Sequence, residues 1–378
     1  MKEFFSNNYY SVVYCTYFAA AVVFSFLIYS LLLRFVKTLG IRNNDDGTII
    51  RWGSMSKPAI GGIGFYIVFL LSVASYSTFF ASNETLHNSS FIGLLLSMAA
   101  GFLIGLADDA YNTRPLLKFG VQVLCGVILI ASGVHINFFE QNIFNYLLTL
   151  LWVVGIMNSI NMLDNMDGIT TIVSIAIVEA AIFITLMHYD VTSINLIILV
   201  GLLSSLIAFL YYNWNPSRMY MGDTGSQFLG VFLAYIGIVY FWNDEYSNAP
   251  ISHGKQVIIT LLAFLLPVID TTTVVINRLS KGQSPFVGGK DHTTHSLAYL
   301  GLSDRAVAFV FMIISFVSVA LLLVIKYQYT EWTWSHTLWF SSYILAMFLF
   351  FFITSRLNKS KKEKSPQSAS PKLEPTHS

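Results

Sequence analysis

Five clusters of carboxylate, amide and imidazole side chains are spread along a chain that is otherwise strongly apolar. Each cluster falls at the end of an apolar segment, and ionisable groups at such places in membrane proteins are costly and usually functional. Acids and amides with a few separated cations and two histidines are typical of phosphoryl chemistry assisted by a divalent metal. The clusters are Asp108–Asp109, residues 158–167, residues 213–223, Asp270, and residues 291–295.

Two adjacent acids, Asp108 and Asp109, end the apolar run GFLIGLADD. Acids at the C-terminus of a helix oppose the helix dipole, at a cost of about 0.3–1 kcal/mol each. A chain does not need such residues to stop a helix. We therefore predict a role in metal binding, phosphate binding or proton transfer. The alternative is a solvated helix end followed by a turn.

The segment NSINMLDNMDG has a polar residue at every third position, namely Asn158, Asn161, Asp164 and Asp167. Neighbouring pairs at this spacing lie on adjacent parts of a helix surface, but the whole set covers about half of its circumference. A break would be needed to gather all four, and Gly168 offers one. The structural alternative is that Asp167 or Asn165 caps the helix that begins near Ile169.

Asp223 lies in the stretch YMGDTGSQF, where two compatible interpretations exist. It could cap the helix that follows, or it could be an oxygen ligand of Mg²⁺, with Gly222 and Gly225 letting the backbone approach a ligand. Asp270, after Pro267 in LLPVIDTTT, is expected to form hydrogen bonds with nearby threonines.

The basic loop that ends near residue 305 contains His292 and His295. His-x-x-His can bind zinc, but no third soft ligand lies beside it, so phosphate oxygens are better partners for this loop. Lys57 precedes an apolar run, and its simplest role is an anchor at the membrane interface. The glycines at 61, 62 and 64 lack the strand–turn–helix context of a nucleotide fingerprint and predict close helix packing.

Hydropathy predicts the elements that carry these clusters. Of the 378 residues, 55% are hydrophobic and 11% are charged, against roughly a quarter charged in soluble domains. The net charge of +1 says little about partners. No nucleic-acid partner is expected. The composition predicts an all-α polytopic membrane protein with about eleven transmembrane helices. They are predicted near residues 12–35, 59–80, 91–107, 118–134, 143–160, 169–188, 194–212, 224–242, 255–276, 306–326 and 338–355.

Charge asymmetry between the loops predicts the orientation. One set of alternate loops, with the C-terminal tail, holds eighteen Lys and Arg, and the other set holds three. The positive-inside rule then predicts the N-terminus outside, the C-terminus in the cytoplasm and all five polar clusters at the cytoplasmic face. We predict one transmembrane catalytic domain, residues 1–357, and a disordered cytoplasmic tail, residues 358–378.

The polar motifs, taken in order, resemble the polyprenyl-phosphate N-acetylhexosamine-1-phosphate transferases. They are DD at 108–109, NxxNxxDxxDG at 158–168, GDTGS at 222–226 and the basic loop ending in DHTTHSL. The resemblance implies transfer of N-acetylhexosamine-1-phosphate from a UDP-sugar to undecaprenyl phosphate, with release of UMP. It also implies a Mg²⁺ cofactor, with Mn²⁺ as an alternative, and a site in the bacterial inner membrane where a cell-surface glycopolymer begins. The loop KGQSPFVGGKDHTTHSL is more similar to the GlcNAc branch than to the MurNAc-pentapeptide branch.

The same resemblance implies roles for individual residues. Asp108 would deprotonate or orient the lipid phosphate, and Asp109 would assist it or the metal site. Asp223 would bind the metal, with Asp164 and Asp167 near the diphosphate or metal. The expected substrate contacts are Lys57, Lys118, Asn158, Asn161, His292 and His295.

Two positions depart from the family pattern. Asn165 stands where the MurNAc-pentapeptide branch has glycine in DGxDG, and Ser296 stands where better-known relatives have a basic residue in a denser His-His-Arg pattern. These departures leave the sugar open. A phospho-MurNAc-pentapeptide transferase is the alternative among enzymes, and an ion-coupled transporter is the alternative from another class. Whether the chain forms a homodimer also stays open.

Overall fold

The computed structural model describes residues 9–39, 57–80, 88–188, 191–243, 252–284 and 289–364. Apart from one isolated bridge between Ala59 and Tyr220, the regular structure in these ranges is helical, which confirms the predicted fold class. The helices are α1 Tyr9–Leu39, α2 Gly61–Phe79, α3 Ser89–Tyr111, α4 Pro115–Ala131, α5 Asn142–Leu163, α6 Ile169–Met187, α7 Ile194–Asn213, α8 Gly222–Ile236 with a π-helical continuation Gly237–Trp242, α9 His253–Ala263, α10 Leu265–Leu279, α11 Thr293–Tyr299, α12 Asp304–Gln328 and α13 Trp334–Lys364.

Nine helices in the described ranges are long and apolar enough to cross a membrane, or ten if α9 and α10 form one bent span. The remaining candidate, α4, is apolar but has only 17 residues. Each of the eleven predicted segments coincides with a helix or a helix pair. The chain is therefore a multi-pass membrane protein, while the number of crossings and the orientation of the termini stay predictions.

The span predicted near residues 255–276 is wrong as a continuous helix. Helices α9 and α10 meet at Phe264 with a bend of 83°. Pro267, in the first turn of α10, has no N–H to donate to the carbonyl of Ala263, and its ring disfavours a helical residue before it. The bend directs α10 against α5, and Asp270 becomes fully buried.

Helix α8 lies at the centre of the bundle. It is buried from Thr224 to Ile236 and packs against α2, α3 and α5. Glycines make this approach close, because a Cβ on Gly62 would overlap the backbone of Gly225, and a Cβ on Gly105 would overlap the backbone of Asp223. The close packing predicted for the glycines at 61, 62 and 64 is confirmed.

The last helix, α13, extends to Lys364, and residues 365–378 lie outside the described residues. The disordered tail predicted for 358–378 therefore stays a prediction.

Candidate active site

The N-terminus of α8 is capped by a side chain from another helix. Asp109, in the last turn of α3, accepts hydrogen bonds from the backbone N–H groups of Asp223 and Thr224 at 2.9 and 2.8 Å and from the Thr224 hydroxyl at 2.6 Å. These N–H groups lack partners within the helix, so a carboxylate satisfies them and complements the dipole. Asp223 lies in the first turn of α8 and does not cap it, which corrects the capping alternative.

Lys118, in the first turn of α4, joins two carboxylates. Its Nζ lies 3.0 Å from Asp108 Oδ2 and 3.1 Å from Asp223 Oδ1. The other oxygen of Asp108 accepts hydrogen bonds from the N–H and hydroxyl of Thr113, which hold it against the turn after α3. The Asp223 side chain is 33% exposed, against 11% for Asp108. Asp223 is therefore the carboxylate of the pair that a ligand can reach most easily.

Helix α5 contributes amides to the same place. Asn161 donates to Asp223 Oδ1 and, at 2.8 Å, to Ser226 Oγ. Asn158, one turn earlier, instead exchanges hydrogen bonds with Gln122 of α4 at 2.8 and 3.3 Å. Gln122 was not predicted, although a lone amide within the apolar run of α4 was a visible signal. We name Asp108, Lys118, Asn161 and Asp223 the aspartate cluster.

The turn between α5 and α6 forms a second polar group beside this cluster. Helix α5 ends at Leu163, so Asp164 lies half-buried just after it, one turn beyond Asn161. Helix α6 begins at Ile169 after Gly168, whose N–H donates to Asn213 at 3.0 Å. Neither Asp167 nor Asn165 caps α6, which corrects that alternative, because the cap comes from α7.

Asp167 faces Lys57 and the segment before α8. It accepts hydrogen bonds from the N–H and hydroxyl of Ser217 at 2.9 and 2.7 Å. Lys57 Nζ lies 3.8 Å from Asp167 and donates to the Ser217 hydroxyl at 3.0 Å. Backbone pairing positions this lysine, since Tyr220 N donates to Pro58 O at 2.9 Å. Lys57 is thus held at the end of the bundle that contains the aspartate cluster, which we call the polar end, rather than extended toward solvent.

The histidine segment, residues 289–299, is anchored on α10. Asp270 accepts hydrogen bonds from the N–H and hydroxyl of Thr293 at 2.8 and 2.6 Å, and it lies 2.9 Å from Nδ1 of His292. The threonine expected as its partner was a neighbour in sequence. The observed one follows 23 residues later and begins α11.

Two further contacts fix the histidine segment. Thr294 donates to Oδ1 of Asn165, so this segment touches the turn between α5 and α6. Arg278 forms a bidentate pair with Asp291 at 2.9 and 2.7 Å. Burial acts to raise the pKa of Asp291, but the hydrogen bonds and charge of Arg278 outweigh it and hold that pKa below the usual range.

His295 lies behind His292, with ring centroids 5.5 Å apart. It is only 2% exposed, and burial, with the nearby His292, lowers the pKa of His295 to about 4. His295 is therefore neutral at pH 7 and is packed within the protein. Of the two predicted histidine contacts, His292 has the better access.

The described residues contain no group of three His, Cys, Asp or Glu arranged to hold a metal ion with protein ligands alone. The donor chemistry nevertheless fits Mg²⁺, which prefers oxygen ligands and is commonly held by one or two carboxylates with substrate phosphates and water. A partly exposed carboxylate at Asp223 and the nearby Asp164 suit such a site. An ammonium group already lies between Asp108 and Asp223, where positive charge is favoured.

The fold and site together define a multi-pass helical membrane protein with carboxylates and lysines gathered at one end of its bundle. The sequence model described as Glycosyl transferase family 4 matches residues 91–241. A probable undecaprenyl-phosphate N-acetylglucosaminyl 1-phosphate transferase of Bacillus subtilis is 27% identical, covering 78% of each chain.

A decaprenyl-phosphate N-acetylglucosaminephosphotransferase of Mycobacterium leprae is 27% identical, over 66% of this chain and 68% of its own. A phospho-N-acetylmuramoyl-pentapeptide-transferase of Streptococcus suis is 26% identical, over 66% of this chain and 76% of its own. The family model and these relatives support the polyprenyl-phosphate N-acetylhexosamine-1-phosphate transferase family that the motifs predicted. The names of the relatives support a glycosyl phosphotransferase, and the transporter alternative loses its support.

Proposed function

We propose that this enzyme transfers GlcNAc-1-phosphate from UDP-GlcNAc to undecaprenyl phosphate and releases UMP. The reaction takes place at the cytoplasmic face of a bacterial cell membrane and begins a cell-surface glycopolymer. The relatives named for N-acetylglucosamine support the sugar, and the excess of Lys and Arg in one set of loops supports the orientation.

The observation that carries the proposal is the ammonium group of Lys118, held between Asp108 and Asp223 at the N-terminus of α8. Transfer of a phosphoryl group depends mainly on positioning and on neutralising charge that is spread over oxygens. Lys118 and Lys57 provide cations at one end of the bundle, and both are held by carboxylates rather than free to rotate. Phosphate oxygens of two substrates can replace or join those carboxylates.

We assign the chemical roles from these contacts. An oxygen of the lipid phosphate attacks the sugar-bearing phosphorus, and the bond from that phosphorus to UMP breaks. A phosphate monoester has its second pKa near 6, so it needs little help from a base at neutral pH. Both oxygens of Asp108 already accept hydrogen bonds, from Thr113 and Lys118. Asp108 therefore orients the lysine, and Asp109 fixes the start of α8.

A divalent cation, Mg²⁺ with Mn²⁺ as an alternative, would be held by Asp223 and Asp164 together with diphosphate oxygens. When bound, it supplies charge neutralisation at the diphosphate. Asn161 contributes by fixing the carboxylate of Asp223. Asp167 keeps Lys57 at the pocket edge, and Asn158 fixes α5 against α4.

A groove between α5 and α10 supports a lipid substrate. It has a volume of about 150 Å³, and its lining reaches toward the aspartate cluster, since Ser159 neighbours Asn158 and Thr271 neighbours Asp270. Its lining is mostly apolar, which suits an isoprenoid chain whose phosphate must reach the aspartate cluster. The lining residues are Leu151, Trp152, Gly155, Ile156, Ser159, Val268, Thr271 and Thr272.

The experiment that tests this function measures UMP release and lipid-linked product from purified protein in nanodiscs. The substrates are undecaprenyl phosphate and UDP-GlcNAc, with Mg²⁺. We expect product that disappears when EDTA is added and returns with Mg²⁺ or Mn²⁺. Absence of UMP with UDP-GlcNAc, UDP-GalNAc and UDP-MurNAc-pentapeptide alike would contradict the proposal.

The phospho-MurNAc-pentapeptide reaction is the second candidate, because relatives with that name match a similar share of the chain. Competition between UDP-GlcNAc and UDP-MurNAc-pentapeptide in the same assay separates the two. We expect UDP-GlcNAc to be used and the pentapeptide substrate not to compete. The reverse result would assign the MurNAc reaction and keep the phosphotransferase class.

A further inference from the structure

Asp270 is a fully buried carboxylate, and no lysine or arginine in the described ranges forms an ion pair with it. An ionised carboxylate in such surroundings requires hydrogen-bond donors. Its two oxygens have different partners. Oδ1 accepts both the N–H and the hydroxyl of Thr293, and Oδ2 faces Nδ1 of His292 at 2.9 Å.

The partner of Oδ2 fixes the orientation of the His292 ring. An ionised carboxylate only accepts hydrogen bonds, so His292 donates its Nδ1–H to Asp270. The other ring nitrogen, Nε2, forms no hydrogen bond with any described residue and is not among the enclosed side-chain atoms. Asp270 thus holds one side of the imidazole and leaves the other side for a ligand.

We propose that Asp270 is a positioning residue that presents Nε2 of His292 to a phosphate oxygen of the bound substrates. The inference rests on the proposed function, which supplies the phosphates. With substrate bound, the imidazole lies between two anions, donates through both nitrogens and carries a positive charge. The titratable and charged groups around this ring are Asp270 on α10, His295 on α11, and Lys290 and Asp291 in the preceding loop, where Arg278 neutralises Asp291.

The unequal partners of the two oxygens make Asp270→Asn a specific test. Because Thr293 donates twice to one position, the amide oxygen of an asparagine would stay there, and its nitrogen would face Nδ1 of His292. That nitrogen is a donor, so Nδ1 would have to accept and the ring proton would move to Nε2. The shape is preserved, but the negative charge that supports a charged ring is lost.

The test compares kcat/KM for UMP release among wild type, Asp270→Asn, His292→Gln and the double variant. We expect each single variant to lose about 10- to 100-fold, the usual range for a residue that orients a ligand-binding histidine. The double variant should lose no more than His292→Gln. Losses that multiply would overturn the proposal, because a purely structural Asp270 acts whatever residue stands at 292.

The pH profile gives a second readout that a structural role would not change. Wild-type activity should fall on the alkaline side, because the proposed contact needs a proton on Nε2 while Nδ1–H stays bonded to Asp270. In Asp270→Asn the neutral ring already carries its proton on Nε2, so this alkaline fall should flatten at a lower plateau. An unchanged alkaline limb in Asp270→Asn would overturn the proposal.

Matched variants guard against misfolding. Thr293→Val removes a hydroxyl bond to Asp270 and leaves the histidine contact, so activity should stay close to wild type. If Asp270→Asn does not fold, His292→Asn is decisive, since its amide can still donate to Asp270 but has no atom in place of Nε2. We expect a folded protein as inactive as His292→Ala, and near-normal activity would overturn the proposal.

An inactive wild type would refute the proposed function as well, whereas an active wild type with unaffected variants refutes only this inference.

Discussion

Polar side chains are buried at both ends of the helix bundle, but they have different partners. At the end opposite the aspartate cluster, Asn145 accepts the N–H groups of Phe138 and Phe139 at 3.0 and 2.8 Å. Asn243 and Gln256 similarly bond backbone groups of residues 135 and 137. All of these amides are neutral, and all of these partners belong to the main chain.

At the aspartate cluster, charged side chains bond other side chains from separate helices. Lys118 joins Asp108 to Asp223, and Asn161 reaches Asp223 from α5. Main-chain groups of a loop need partners wherever they are buried, so the far end is explained by folding alone. Charged groups held against one another in a half-buried site cost free energy, which is expected where they serve a ligand. The two ends therefore distinguish polar groups that stabilise the fold from those that we propose carry the chemistry.

The variant Asp223→Asn tests this distinction between the two ends with the largest expected effect on activity. We expect kcat/KM to fall at least roughly 100-fold, the scale for losing one electrostatic contact in an active site, with the melting temperature little changed. Asp304→Asn is the matched control, because Asp304 lies at the same end of the bundle. Among the described residues, its carboxylate accepts a side-chain hydrogen bond only from Asn215. Retained turnover with normal Mg²⁺ dependence in Asp223→Asn would remove this carboxylate from the metal role.

Asp109 belongs to both categories, since it is charged but bonds mainly the backbone of α8. Asp109→Ala should lower the free energy of unfolding by about 2 kcal/mol, the upper range for a lost helix cap. It should also lower activity about tenfold, because the start of α8 positions Asp223. Thermal melting and UMP release on the same preparation measure both. A loss of activity without a loss of stability would show that Asp109 contacts substrate directly.

The far end gives the opposite expectation. Asn145→Ala leaves two backbone N–H groups and one carbonyl without their partner, and should lower the free energy of unfolding by about 1–2 kcal/mol. The protein that remains folded should keep wild-type kcat/KM. A selective loss of activity at unchanged stability would contradict the separation of the two ends.

Sequence patterns located the polar end well, because charged and amide side chains are costly in free energy within an apolar chain. Asp108, Asp164, Asp223 and the histidines all stood out by type and position. What the pattern could not give was the partner of each residue. The side chain that accepts from the start of α8 comes from α3, and the one that accepts from the start of α6 comes from α7, so local rules of capping predicted the wrong acceptor in both cases.

Non-local packing also explains the other differences between the sequence predictions and the structure. Pro267 was visible in the sequence, but a proline in an apolar run can kink a helix by any amount, and the 83° bend depends on how α10 packs against α5. The pairing of Asp270 with His292 joins two elements that are separated by a long loop. Only after the bend does the carboxylate expected to bond its neighbouring threonines face the histidine expected to contact phosphate.

The smallest expected effect is a loss of folding stability at acidic pH, caused by His295 at the end of the bundle that contains the aspartate cluster. The pKa of His295 in the folded protein is lowered from 6.5 to about 4, chiefly by burial. Below about pH 6.5 the unfolded chain therefore binds a proton at His295, whereas the folded chain does so only near pH 4. Stability is therefore full above pH 6.5 and falls as pH decreases, by about 1 kcal/mol between pH 7 and 5.5. Asp291, whose pKa is held low, would lose stability only below pH 4, outside this window. Thermal melting should show the loss in wild type and in His253→Gln, a variant at the far end, but not in His295→Gln. A loss that persists in His295→Gln would assign the acid sensitivity to another group.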